Sequence, residues 1–111
     1  MVNPTLLGDI LPLEPLLERI VARLAPEEIW LFGSRAEGRA RPDSDYDLLV
    51  VLPNESPAAH LDIIAAWTLV RGLDIPADIV PCTRAEFEEE KYESDTLARA
   101  AFLRGRRIYE R

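Results

Sequence analysis

One cysteine, Cys82, is all the thiol chemistry in this 111-residue sequence. With no second cysteine there is no internal disulfide and no paired spacing to cradle zinc, so a reducing, cytoplasmic setting is expected. Cys82 stands near the end of an apolar run and reads as a small packing residue, not a reactive thiol. Histidine is as scarce: His60 stands alone, early in a helical stretch, which points to a surface or partner-facing role and away from catalysis. Basic residues are outnumbered, 13 against 20 acidic, for a formal charge of −7. That balance opposes gripping a polyanion over many phosphates and argues against general nucleic-acid binding, although a compact group of arginines still suits one small phosphorylated ligand. Long apolar runs are missing too. The first twenty residues, MVNPTLLGDILPLEPLLERI, break their leucines with Pro4, Asp9, Pro12 and Glu14 and carry no basic leader, which predicts neither a signal peptide nor a membrane span. No repeat or low-complexity tract divides the chain, and 48% apolar residues suffice for one modest core, hence a single domain over 1–111.

What is present is a regular alternation of helical and extended patterns. Leu13, Leu16, Leu17, Ile20, Val21 and Leu24 recur at helical spacing and predict a helix over 13–25, stopped by Pro26. Ile29 to Phe32 reads as a buried strand ended by Gly33, and Asp45 to Leu52 as a second strand ended by Pro53. Ser56 and Pro57 open a helix to about residue 71 with two apolar stripes, one of Leu61, Ile64, Ala65 and Thr68 and one of Ile63, Trp67 and Val70. So broad an apolar surface fits deep burial or a partner, burial being the expectation, with Trp30 and Trp67 as core anchors. Ile75 to Val80 predicts a third strand despite Pro76, which is tolerated on an edge or at a strand's first residues. Thr83 and Glu86 form a capping box for a helix over 84–91, Ser94 caps another over 95–104 that Gly105 ends, and 106–109 adds a short strand. The acidic run from Glu86 to Glu93 is a solvated helix face. The expected class is α/β in the broad sense (α+β), helices packed on a small mixed sheet.

The stretch between the first two strands carries the chemistry. Alternate side chains of a strand share a face, so Asp45 and Asp47 project together, their α-carbons about 6.5–7 Å apart. Two such carboxylates beside Leu48, Leu49 and Val50 repel one another in a poorly screened setting, and a divalent cation with a taste for hard oxygen ligands relieves the conflict. A calcium loop starting at Asp43 would need glycine and glutamate where Leu48 and Asn54 stand, so that option falls. On the other side, Gly33 permits a sharp turn and close approach, while the Ser34 hydroxyl and the turn's N–H groups can face phosphate oxygens. Arg35, Arg39 and Arg41 follow in the same connection and could share the neutralisation of a triphosphate.

Gly33-Ser34, ten intervening residues and then Asp45-Tyr46-Asp47 resembles the signature of the polymerase-β-like nucleotidyltransferase superfamily. The phrases GSRAEG and SDYDLLV are similar to its minimal nucleotidyltransferase branch, which supplies antitoxins to HEPN toxin–antitoxin modules. The resemblance implies the corresponding fold, a third metal-binding carboxylate for which Asp78 is the match, and two Mg2+ ions, with Mn2+ as a substitute, on Asp45, Asp47 and Asp78. It implies ATP as donor, held by Gly33, Ser34 and Arg35, and in-line transfer of AMP to a hydroxyl with release of pyrophosphate. Asp78 would help deprotonate the acceptor.

The catalytic motif leaves little sequence over to hold an acceptor, so a partner is expected to complete the site; by analogy it is a HEPN ribonuclease toxin modified on tyrosine. Two rival functions are a module that neutralises its partner by contact alone, and a small-molecule adenylyltransferase with an accessory subunit. Homo-oligomerisation is compatible with either.

Overall fold

The computed structural model describes residues 10–111; the reading of the first nine as neither leader nor span lies outside them. A 3-10 turn, Leu11–Leu13, leads into α1, Glu14–Leu24. Pro15 is tolerated there because the first turn of a helix has no use for its missing N–H. The helix ends as its sequence predicts: Ala25 turns left-handed, its N–H donates to the Val21 carbonyl, and Pro26 follows.

Four strands form one mixed sheet in the order β3-β2-β1-β4: β1 is Glu28–Phe32, β2 Tyr46–Leu52, β3 Ala77–Thr83 and β4 Arg106–Glu110. β1 pairs antiparallel with β2 and β4, and β2 pairs parallel with β3. β3 is an edge strand, but it begins and ends later than expected, so that Pro76 falls just before it and Pro81 inside it. An edge leaves one row of backbone groups free of ladder bonds, which is where a residue without an N–H fits.

Alternation along β2 separates two cores. Tyr46, Leu48, Val50 and Leu52 face Leu16, Ile20 and Leu24 of α1, all buried. Leu49 and Val51 face the other way, against Phe87 of α3 (Arg84–Glu90) and Ala98 and Ala101 of α4 (Leu97–Arg104). Each large apolar side chain buried in this way stabilises the fold by about 1.5–3 kcal/mol. The Thr83–Glu86 capping box starts α3 as predicted. Thr96, not Ser94, caps α4: its hydroxyl accepts from the Arg99 N–H, so the helix begins two residues later than its pattern suggested. At the far end of the sheet the buried Glu28 accepts from the Trp30 indole at 2.9 Å and from Arg107 at 3.3 Å, while Arg84 bridges to Glu27 at 2.8 Å. This network ties α3 and β4 to β1.

The long helix expected over 57–71 does not form. Asp62 takes an extended conformation and its carboxylate accepts from the N–H groups of Ile64 and Ala65, which stops one turn and starts another. The result is a 3-10 turn, Ala58–Leu61, a short helix α2, Ile63–Trp67, and a second 3-10 turn, Thr68–Val70. Ser56 caps none of them. Within this segment Ala66 and Leu69 are buried, on neither predicted stripe, and Trp67 is exposed, so it is no core anchor. Trp30 does pack, against Phe87 and Phe102 with ring centroids 5.6 and 6.3 Å away.

Candidate active site

α3 and α4 cover Leu49 and Val51 but stop short of the beginning of β2, and Asp47 lies on that uncovered part of the same face. Its register partners are Phe32 on one side and Asp78 on the other. Paired residues of neighbouring strands share a face, so the parallel β2–β3 register sets the Asp47 and Asp78 carboxylates side by side. Asp45 lies one residue outside β2 and is exposed. Burial pushes the Asp47 carboxyl above the usual carboxylate range, and the charges of Asp78 and then Asp45 push it further. Each contribution says the same thing chemically: a negative charge on Asp47 lacks compensation. Oxygen-only donors under mutual repulsion fit a hard divalent cation, which would remove the like-charge conflict. No cluster of three or more Asp, Glu, His or Cys side chains among the described residues is gathered closely enough to be a ready-made ion site. The three aspartates thus meet as a pair with Asp45 at the rim.

Gly33 supplies the other side. Its φ of +75° is left-handed, and a β-carbon built there would overlap the Asp47 carboxylate. Only glycine lets the turn sit against that side chain. The Gly33 carbonyl accepts from the N–H groups of Ala36 and Glu37, and the Ser34 carbonyl from Arg39, so the connection leaves β1 as a tight coil, with Ser34 next to the glycine that abuts Asp47. Arg35 goes elsewhere. Its guanidinium donates to the Ser44 carbonyl at 2.8 and 3.1 Å and to the Pro42 carbonyl at 3.2 Å, and it lies over the Tyr46 ring at 4.4 Å. It closes the loop onto the start of β2. Arg39 pairs with Glu37 at 3.4 Å, both at the surface, and Arg41 makes no ion pair among the described residues.

A cleft of about 430 Å3 opens beside the carboxylates, with Asp47 and Asp78 on one wall and Ile63, Ile64, Trp67 and Leu97 on the others. Sequence reasoning favoured burial of this segment over a partner surface; the wall takes Ile64 from the first predicted stripe and Ile63 and Trp67 from the second, and adds Leu97, which no pattern had singled out.

Cys82 has no part in the site. Burial, then Glu86 and Glu90, pushes its thiol up to about 12. Nucleophilic attack needs the thiolate, so at pH 8 the native protein should react with a disulfide reagent about 10³ times more slowly than the unfolded chain, a difference readable by absorbance with and without denaturant. Equal rates would show an open thiol.

No helix among the described residues is long and apolar enough to cross a membrane. A protein-family model described as "Nucleotidyltransferase domain" matches residues 13–107. No curated protein matches the chain significantly. Among solved structures, a provisionally named nucleotidyltransferase from Sulfolobus solfataricus aligns with a TM-score of 0.63 at 20% identity, over 100% of this chain and 91% of that one. A chain of a toxin–antitoxin structure with AMP-PNP aligns with a TM-score of 0.58 at 24% identity, over 88% of this chain and 73% of that one. Both likenesses are of fold. The family match spans everything from α1 into β4, including the glycine turn and all three aspartates, and on that ground the chain belongs to the nucleotidyltransferase domain family.

Proposed function

We propose that this nucleotidyltransferase moves AMP from ATP to a hydroxyl of a partner protein, a tyrosine of a HEPN-type ribonuclease toxin, and so serves as an antitoxin. The observation that carries the proposal is Asp47, an uncompensated carboxylate held between the Gly33 turn and Asp78 at the open end of the sheet. The ATP analogue in the similar toxin–antitoxin structure supports the choice of donor and of biological setting.

In this reading Ser34 and the N–H groups not already donating within its turn hold the outer phosphates, and Asp45, Asp47 and Asp78 would hold magnesium or manganese. When bound, such ions neutralise the triphosphate and stabilise the leaving pyrophosphate. Asp78, exposed on the edge strand, takes the proton of the acceptor hydroxyl. The acceptor oxygen bonds to the α-phosphorus as the bond from that phosphorus to the bridging oxygen of the β-phosphate breaks, and pyrophosphate departs in line. Arg35, spent on the Ser44 and Pro42 carbonyls, keeps the loop closed and leaves phosphate binding to Ser34 and the backbone.

The test is to incubate the protein with magnesium, ATP labelled at the α-phosphorus and the protein encoded by the adjacent gene. Label on a tyrosine of that protein, with release of pyrophosphate, is the expected result. Neutralisation of the partner without label would overturn catalysis in favour of contact alone, the reading that the exposed wall of the cleft also suits.

A further inference from the structure

The wall of the cleft is made of side chains the fold does not need. α2 is anchored through Ala66, and Leu69 anchors the turn after it, yet Ile63 is 56% exposed, Ile64 73%, Trp67 66%, and Leu97 at the start of α4 47%. Large apolar groups gathered at one opening on a chain of net charge −7 mark a contact surface. The surface is not isolated, because the same cleft contains Asp47 and Asp78.

Its position relative to those two carboxylates decides what it contacts. The strand order puts Asp47 between the Gly33 turn on the β1 side and Asp78 on the β3 side. The glycine–serine turn and the arginines that follow it, the groups suited to phosphate, belong to the connection between β1 and β2. On the β3 side the cleft offers no cation, only two aspartates and an apolar wall. No residue lining that side donates to a phosphate directly, so a triphosphate would reach it only through metal held by the aspartates and would gain nothing from the apolar wall. A neutral hydroxyl carried on an apolar surface would.

We infer that Ile63, Ile64, Trp67 and Leu97 form the docking surface for the acceptor, and that the occupant is a partner protein presenting an apolar patch with a basic rim and a hydroxyl at its centre. The basic rim follows from charge complementarity: Asp47 and Asp78 share the cleft with the wall, the charge of Asp45 is felt at Asp47, and Asp62 caps the wall's helix, all but Asp47 exposed. The protein nature follows from openness. Ile63, Ile64, Trp67 and Leu97 are 47–73% exposed around an opening to solvent and do not enclose it, which is the form of a contact surface. The inference deepens the proposed protein-directed transfer and rests on it for the hydroxyl, but not for the contact.

The double variant Ile64→Ser, Trp67→Ser tests it, with the protein encoded by the adjacent gene as the probe and with magnesium and ATP. The KM for that protein should rise about tenfold or more, since apolar anchors at an interface centre dominate its affinity, while the KM for ATP stays within about twofold. Binding measured by calorimetry without ATP should weaken in parallel. In a Trp30→Phe background, emission from Trp67 should shift to the blue on adding the partner and stay put on adding magnesium and ATP. A raised KM for ATP with the partner's unchanged would make the wall a nucleobase site and overturn the inference, as would no change in either. A dimer of the protein alone that the double variant abolishes would assign the wall to a second copy and likewise overturn it. Partner binding that depends on the wall but is followed by no transfer would uphold the docking surface and defeat the enzymatic reading. A partner that fails to bind the parent protein would overturn the docking surface itself.

Discussion

Replacing Asp47 with asparagine is expected to lower nucleotidyl transfer by about 10³-fold or more while leaving the fold intact. In the proposed mechanism Asp47 helps hold the metal, whose loss removes several kcal/mol of charge stabilisation from the transition state, and each 1.36 kcal/mol is a factor of ten in rate. The folded chain gains from the same change. Burial and the neighbouring charges of Asp78 and Asp45 raise the Asp47 carboxyl in the folded state, so ionising it opposes folding. A raised carboxyl favours the folded state where it is protonated, at low pH, and that advantage disappears as the pH climbs through the folded value. An amide never ionises and escapes the loss. In EDTA the variant should therefore melt no lower than the parent at neutral pH and by preference higher. The gap should open as the pH rises from the ordinary carboxylate range and level off once Asp47 is fully ionised. Calorimetric melting across pH, paired with the transfer assay, reads both effects. A variant that loses transfer and also melts far below the parent without metal would make Asp47 an architectural residue.

Gly33→Ala should damage both properties. The left-handed conformation costs a residue with a β-carbon about 1–2 kcal/mol, and here the added carbon also overlaps the Asp47 carboxylate, which must move. A displacement of about 1 Å in a reacting centre is enough for a loss on the order of 10²-fold. The expected outcome is a melting temperature several degrees lower with transfer reduced by about two orders of magnitude. Gly38→Ala is the control: its φ is +73°, but nothing lies within 4 Å of the added carbon. It should show the conformational cost without the catalytic one. Equal transfer losses in the two variants would mean that the contact with Asp47 is irrelevant to function.

The fold was legible wherever a pattern was local. The i, i+3, i+4 leucines of α1, the apolar runs of β1 and β2, the Thr83–Glu86 capping box and the glycine–serine turn separated from Asp45 by ten residues all declare themselves without knowledge of their neighbours. So did Asp78, though only as the one acidic residue well placed in a strand. Its partner in the sheet could not be read, because register between β2 and β3 is set by packing of residues some thirty positions apart in sequence.

The segment from 57 to 71 shows where local reading fails. Two apolar stripes were visible and burial was the natural expectation, since an apolar helix face in water is costly. Asp62 broke the helix with a side-chain cap worth about 1 kcal/mol, a choice a periodicity argument does not weigh. Breaking it rotated the chain so that Ala66 and Leu69 went inward and Ile63, Ile64 and Trp67 outward, beside the carboxylates. Arg35 tells the same story at one residue: its charge suggested phosphate, and the fold gave it two carbonyls and a tyrosine ring instead. The residue types for the chemistry were thus determined by the sequence alone. Which of them face one another was decided by the sheet register and a single capping aspartate, because a side chain's direction depends on contacts that only the folded chain brings within reach.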